Sequence, residues 1–85
     1  MKVKVLFFAA LREQLGTSGE DIELPAEVTS VAGLRAHLKA RGGMYEKALA
    51  DKSLVRIAVN QEMASPSRAI RAGDEVAFFP PVTGG

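Results

Sequence analysis

Polar and apolar residues alternate in the first strand-like segment of the chain. Lys2 and Lys4 mark a polar face between residues 2 and 8, and the alternate positions are apolar. Successive side chains of an extended strand point to opposite faces, so Leu6 and Phe8 are predicted to share the face of the lysines. The segment is therefore predicted to be a strand with one buried face and one outward face.

A short helix and a second strand are predicted next. Residues 10–15 are good helix formers, and Gly16 suits the left-handed conformation that ends many helices. Residues 21–24 alternate acidic and aliphatic side chains before Pro25, which has no backbone N–H to donate to a sheet. The first two strands are expected to pair in a hairpin-like arrangement.

The main helix is predicted from the spacing of apolar residues after the N-capping candidate Ser30. Val31, Leu34 and Leu38 are three and four positions apart and fall on one helical face. Two glycines then end the helix, and residues 44–50 are predicted to add one or two further helical turns. The basic residues of this region are expected to face water: Arg35, Lys39 and Arg41.

Further strands are predicted in the second half of the chain. Residues 54–59 are β-branched and aliphatic, and Asn60 with Gln61 suits a tight turn. A very short pairing is expected at residues 69–70, and a last strand at residues 75–79. This order of elements predicts an α+β fold, a mixed sheet with one main helix packed across one face.

The last predicted strand also has two faces. Val76 and Phe78 share one of them, which leaves Phe79 on the other. With Leu6 and Phe8, Phe79 is expected to form an exposed apolar patch, a feature typical of partner interfaces. The alternative is that helices or loops cover these side chains.

Composition excludes several classes of function. The 85 residues include no cysteine, which excludes disulfides, thiolate metal sites and a cysteine nucleophile. Eleven basic and ten acidic residues give a net charge of +1, without the basic excess that nucleic-acid binding usually requires. The longest apolar run has seven residues, whereas a membrane-spanning helix needs about 20. A cytoplasmic protein with no nucleic-acid or membrane partner is expected.

Residue sets for catalysis or metal binding are not recognisable in the sequence. His37 is the only histidine, and no carboxylates accompany it at metal-ligand spacing. It is interpreted as an ordinary helix residue. Neither a metal site nor an enzyme that acts on its own is expected.

The C-terminal segment PPVTGG, residues 80–85, has an unusual composition. Pro80 and Pro81 restrict the backbone to an extended path, whereas Gly84 and Gly85 carry no side chain. The segment is predicted to be a tail that reaches roughly 20 Å from the domain. Its tip is thin enough to enter the active site of another protein.

Three sequence stretches resemble one known family. FFAALRE at residues 7–13, AVNQ at residues 58–61 and GDEVAFFPPVTGG at residues 73–85 look like the small subunits of molybdopterin synthase, a family of ubiquitin-like sulfur carriers. The resemblance spans nearly the whole chain. It implies a β-grasp domain over residues 1–79 and a flexible diglycine tail over residues 80–85.

The resemblance implies that the carboxylate of Gly85 carries the chemistry. A ubiquitin-activating-type adenylating enzyme would use ATP to form a transient glycyl-AMP, which a persulfide sulfurtransferase would convert into a thiocarboxylate. Docked on the large subunit of the synthase, the thiocarboxylate would donate sulfur to the cyclic pyranopterin precursor and so form the dithiolene of molybdopterin. A heterotetramer of two small and two large subunits is implied, with no permanently bound cofactor.

The other tail residues would guide Gly85 into the partner. Gly84 would give clearance in a narrow channel, where even a Cβ atom would obstruct the path. Pro80, Pro81 and Val82 would form the threading segment. The hydroxyl of Thr83 either fixes the path of the tail by a hydrogen bond to a partner or is an ordinary polar side chain.

Three alternative functions are compatible with a terminal diglycine. One is a sulfur carrier for thiamine synthesis or tRNA thiolation, which the FFPPVTGG ending disfavours. Another is a protein modifier whose Gly85 forms isopeptide bonds with lysines. The third is a non-covalent interaction domain with an inert tail.

Overall fold

A computed structural model describes residues 1–81, which form five strands and three helices. The predicted roles of Val82, Thr83, Gly84 and Gly85 fall outside the described residues. In chain order the elements are β1 (Lys2–Phe7), α1 (Ala9–Leu15), β2 (Gly19–Glu23), α2 (Val31–Lys39), α3 (Gly43–Ala48), β3 (Arg56–Val59), β4 (Glu62–Met63) and β5 (Glu75–Phe79).

The strands form one mixed sheet in the order β2-β1-β5-β3-β4. β1 and β5 are parallel, and every other neighbouring pair is antiparallel. β5 lies in the centre of the sheet, with β1 on one side and β3 on the other. The predicted α+β fold with a mixed sheet is confirmed, as is the pairing of the first two strands.

The core lies between one face of the sheet and the helices. Val5 of β1 and Phe78 of β5 are fully buried, as are Leu34 and Leu38 of the longest helix, α2. The apolar side chains that alternate along each strand form one side of the core. The apolar side chains spaced three and four residues apart along α2 form the other side. The buried cluster comprises Val3, Val5, Phe7, Leu11, Ile22, Leu24, Val28, Val31, Leu34, Leu38, Ala48, Leu49, Ile57, Val59, Ile70, Val76 and Phe78.

The first two helices have local signals at their ends. Gly16 has a φ of 70°, and its N–H donates to the carbonyl of Arg12 at 2.9 Å, so it ends α1 as predicted. Ser30 precedes α2, and its hydroxyl accepts a hydrogen bond from the N–H of Gly33 at 3.1 Å. The predicted third helix is present as α3.

The predicted bounds of two strands differ from the observed ones. β3 begins at Arg56 rather than Leu54, because Arg56 pairs with Phe79 and the residues after Phe79 are prolines without an N–H to donate. β2 begins at Gly19, earlier than predicted, because Gly19 pairs with Leu6 at the end of β1.

Arg35 is half-buried and hydrogen-bonded to the backbone, whereas the prediction turned it to water. Its Nε donates to the carbonyl of Leu49 at 2.8 Å, and its Nη2 donates to the carbonyls of Ala50 and Ser53 at 2.7 and 3.2 Å. The planar guanidinium can reach several acceptors at once, which a lysine ammonium on a flexible stem matches less well. Arg35 therefore attaches the segment between α3 and β3 to α2.

Arg41 and Lys39 also have partners. Arg41 forms an ion pair with Glu20 of β2, and its guanidinium lies 4.9 Å from the centroid of the Tyr45 ring. The hydrogen bond that Arg41 donates to the Glu20 carboxylate is the main reason why the pKa of Arg41 is raised. Lys39 donates to the exposed carboxylate of Asp51 at 3.0 Å.

Hydrogen bonds of the Asn60 and Asp74 side chains connect the two turns that flank the central strands, and we call this set of bonds the Asp74 latch. The amide of Asn60 donates to Asp74 Oδ1 at 3.0 Å, and the backbone N–H of Arg71 donates to Asp74 Oδ2 at 2.8 Å. Asn60 Oδ1 in turn accepts from the N–H of Glu75, the first residue of β5. Hydrogen bonds from Asn60 and then from Arg71 hold the pKa of Asp74 below its ordinary value.

Removal of the Arg35 guanidinium is expected to destabilise the domain. Arg35→Met keeps an apolar stem but leaves three carbonyls without their donor, so the free energy of unfolding should fall by about 2–3 kcal/mol. Urea denaturation measures the change. The matched control is Lys39→Met on the same helix, which removes only an exposed ion pair and should cost less than about 0.5 kcal/mol. Equal losses in the two variants would contradict the role given to Arg35.

The Asp74 latch is expected to make stability depend on pH. A carboxyl group with a lowered pKa in the folded state stabilises the fold above its ordinary pKa of 3.8, and that contribution is lost as the pH falls through the folded value. Asp74→Asn should lower the free energy of unfolding at about pH 7 by about 0.5–1 kcal/mol.

The test compares the Asp74→Asn variant with the original protein in urea at several pH values. The difference in unfolding free energy should shrink between about pH 5 and about pH 2, as Asp74 becomes protonated in the original protein. Glu27→Gln, at an exposed position, serves as the control and should show no such trend. A difference for Asp74→Asn that stays constant with pH would rule out the latch as its cause.

Candidate functional site

The face of the sheet opposite the core carries a row of small and large apolar residues. Leu6 pairs with Ala77, Ala77 with Ala58, and Ala58 with Met63, so the row crosses four adjacent strands. We call this surface the outer face. Met63 is 57% exposed, and Leu6 is half-buried. The apolar row is thus accessible along part of its length.

Phe8 and Phe79 border this row at the end of the sheet where the chain leaves β5. Phe79 is half-buried and lies on the same face as Ala77. Phe8 follows β1 in an extended conformation, and its N–H donates to the carbonyl of Phe78 at 3.1 Å. Phe8 is 46% exposed. The structure therefore brings Leu6, Phe8 and Phe79 to the same end of the outer face, as the alternation predicts.

Ala9 explains why Phe8 stays exposed at the start of α1. Its φ of 53° lies in the left-handed region, which non-glycine residues seldom adopt. The chain turns sharply at this residue, so α1 begins on the core side while Phe8 remains beside the outer face. No feature of the sequence indicated a left-handed alanine here.

The sequence did not identify Met63 as part of this surface. Its position depends on the register of the β3–β4 hairpin, in which Asn60 and Gln61 both have positive φ and Val59 pairs with Glu62. With two residues in the turn, Met63 must share the face of Ala58. The pair Asn60–Gln61, which suits a two-residue turn, was the sequence feature from which this register could have been inferred.

A groove of about 360 Å³ lies where the chain leaves the sheet. Pro80 and Pro81 are half-buried, and Pro81 forms part of the groove wall, so these two residues still lie against the domain. Leu54 is 79% exposed at the same place. The groove is lined by Arg35, Leu54, Val55, Arg56, Ile57, Met63, Ala64, Pro66 and Pro81.

The charges near this groove are mainly basic. Arg35 and Arg56 both line it. The pKa of Asp51 is lowered chiefly by the hydrogen bond from Lys39 and to a smaller extent by the charge of Arg35. Asp51 thus pairs first with Lys39, which leaves the groove itself with two guanidinium groups and apolar walls.

Other kinds of site find no support in the described part of the chain. Among residues 1–81, no three His, Cys, Asp or Glu side chains approach closely enough to hold a metal ion. His37 is half-buried on α2. None of the three helices is long and apolar enough to cross a bilayer.

A family model and a relative of similar length place the chain in one family. The model of the ThiS family matches residues 5–85. The molybdopterin synthase sulfur carrier subunit of Escherichia coli (strain K12) is 47% identical over 83 residues, which cover 98% of this chain and 99% of that protein.

Solved structures of related proteins have the same fold. The putative molybdopterin converting factor, subunit 1, from Pyrococcus furiosus superposes with a TM-score of 0.79 at 37% identity, covering 96% of this chain and 99% of that one. A chain from the complex of subunits 1 and 2 of the molybdopterin-converting factor from Helicobacter pylori superposes with a TM-score of 0.68 at 26% identity, with full coverage of both chains.

Proposed function

This chain belongs to the ThiS family, and on that premise we propose that it is a sulfur carrier in molybdenum cofactor biosynthesis, the small subunit of a molybdopterin synthase. The observation that carries the proposal is the match over nearly the full length to a relative of that name at 47% identity. The chain is not an enzyme on its own; it supplies the sulfur-donating subunit of one. The proposed setting is the cytoplasm.

The reacting group in this proposal is the carboxylate of Gly85. A free carboxylate resists nucleophilic attack because its oxygen is a poor leaving group, so an adenylating enzyme first joins it to the AMP portion of ATP with release of pyrophosphate. The terminal sulfur of a sulfurtransferase persulfide then displaces AMP. Cleavage of the remaining sulfur–sulfur bond by a thiol leaves a thiocarboxylate on Gly85.

The thiocarboxylate acts in the active site of the large subunit. There it attacks the cyclic pyranopterin precursor, and two carriers in turn supply the two sulfurs of the molybdopterin dithiolene. The geometry of residues 79–81 supports this role, because β5 is the central strand and leads directly to the two prolines that begin the tail. Gly84 gives clearance in the channel, while Val82 and Thr83 complete the threading segment. Two small and two large subunits form the proposed heterotetramer.

The outer face is the proposed docking surface for the large subunit. Leu6, Phe8 and Phe79 lie at the end of the sheet from which the tail leaves, and the structure adds Met63 to this set. Exposed apolar residues that cluster beside a functional tail are typical of an interface that excludes water. The H. pylori relative was solved in complex with its subunit 2, which supports a large-subunit partner for this chain.

Thiocarboxylate formation at Gly85 is the first expected result. The purified chain is incubated with ATP, its cognate adenylating enzyme and a persulfide donor, and the intact mass and the C-terminal peptide are measured. The mass should increase by the difference between sulfur and oxygen, on the C-terminal peptide alone. Covalent adducts on lysines that survive thiol reagents, without this increase, would instead identify a protein modifier.

Two tail variants control that experiment. Deletion of Gly85 and addition of one residue after Gly85 should each abolish sulfur transfer, because the terminal carboxylate is displaced from the reacting centre of the partner. Both variants should melt as cooperatively as the original chain, because a terminal tail contributes little to the core. Sulfur transfer by the untrimmed, extended variant would refute the role of Gly85.

Phe79 is expected to matter for docking more than for folding. Phe79→Asp should raise the dissociation constant for the large subunit by more than about tenfold, because it places a charge in an apolar interface. The free energy of unfolding should change by about 1 kcal/mol or less, because the side chain is only half-buried. Calorimetric titration measures the first quantity and urea denaturation the second.

Met44→Asp is the matched control for Phe79→Asp. Met44 is an exposed apolar residue on α3, away from the outer face, and its replacement should leave the dissociation constant unchanged. If Phe79→Asp binds normally, or if it unfolds the domain, the proposed docking surface is wrong.

A further inference from the structure

The two lysines of β1 on the outer face have acidic residues as neighbours in register, whereas one cation of the outer face, on β3, does not. Lys2 pairs in register with Glu23, and Lys4 lies between Asp21 on β2 and Glu75 on β5. Each of these cations therefore has an opposite charge as a direct neighbour, an arrangement that stabilises a sheet surface. Lys2, Lys4 and their acidic neighbours lie at the end of the outer face that is farther from the tail.

Arg56 is the exception. Its neighbour in register on β5 is Phe79, and its own side chain is exposed. Within residues 1–81 the guanidinium of Arg56 makes no ion pair with a carboxylate. It also lines the groove beside the tail exit, together with the apolar side chains of Leu54 and Met63. In the part of the chain that the structure describes, a cation without an acidic neighbour thus stands among apolar residues, at the place where the tail begins.

Docking on this surface has a specific electrostatic cost. A protein that covers Phe79 and Met63 also removes water from Arg56, and a desolvated charge without a partner opposes association. An apolar patch on the partner would leave that cost uncompensated. A carboxylate would offset it, because the planar guanidinium can donate two parallel hydrogen bonds to one carboxylate group.

We propose that Arg56 is a specificity-determining residue for partner recognition, and that the groove beside Pro81 receives an acidic side chain of the large subunit. This inference rests on the proposed function, since it assumes that the outer face docks on that subunit. Arg35 strengthens the preference for an acid. It lies in the same groove, and its guanidinium bonds only to neutral carbonyls.

Arg56→Leu distinguishes a carboxylate from an apolar contact on the partner. Leucine keeps a large apolar side chain, so it should bind an apolar partner surface as well as or better than arginine does. If the partner presents a carboxylate, Arg56→Leu should raise the dissociation constant for the purified cognate large subunit by about tenfold, because that carboxylate then loses water without gaining a hydrogen-bond donor. Arg56→Glu should raise it by about a hundredfold or more, because two like charges then meet.

Salt dependence and a charge control complete the experiment. The dissociation constant of the original chain should rise with sodium chloride concentration, and that of Arg56→Leu should rise less steeply. Lys47→Glu makes the same change in net charge as Arg56→Glu on exposed α3 and should leave binding within about twofold of the original. Thermal melts establish that each variant is folded, which exposure of Arg56 leads us to expect.

The outcomes separate this inference from the proposed docking surface. Weak binding by Phe79→Asp together with normal or tighter binding by Arg56→Leu would overturn the acidic contact and leave the docking surface standing. Normal binding by both variants would overturn both. An equal effect of Lys47→Glu and Arg56→Glu would show that only net charge matters, and would also overturn the role of Arg56.

Discussion

The parallel pairing of β1 with β5 is the constraint on which the rest of the structure depends. It inserts the last strand of the described chain between the first strand and β3, so β5 forms ladders on both of its edges. The residues after Phe79 consequently leave from the middle of the sheet rather than from a frayed edge. Phe8 and Phe79 are brought to the same end of the domain by the same pairing, because parallel strands end at the same side.

The register of this pairing also separates the core from the outer face. Phe7 pairs with Phe78 on the buried face, whereas Leu6 pairs with Ala77 on the outer face. A slip of one residue would turn the buried aromatic side chains to water and bury the outer row. The tilted contact between Phe7 and Phe78, with ring centroids 5.8 Å apart, helps to maintain the correct register. Packing in the core and display of the outer face are thus set together.

Local patterns were sufficient to predict most of the fold and one part of the candidate site. The alternation in residues 75–79 predicted the last strand with its observed bounds and the outward position of Phe79, because strand geometry depends only on the nearest neighbours. The position of β5 beside β1 is a contact between distant parts of the chain, and only the family resemblance implied it.

The features that sequence reasoning missed also depend on distant contacts. Arg35 was expected in water because its helical position is polar, yet its acceptors lie 14 to 18 residues further along the chain. Met63 joined the outer face only through the register of a two-residue turn. That Arg56 has an apolar neighbour, Phe79, rather than an acidic one became visible only when the strand register was known. Periodicity locates a residue on an element, but its partners come from the assembled sheet.

The central position of β5 has a mechanical consequence. If a partner draws the tail into a channel, as the proposed function requires, it would pull along the direction of β5. The hydrogen-bond ladders to β1 and β3 would share this force and would be loaded in shear. Bonds loaded in this way must break together, whereas those of an edge hairpin pulled apart at its end break one after another. On that proposal, the domain would resist extension of β5 and act as a stop that limits how far the tail can be drawn in.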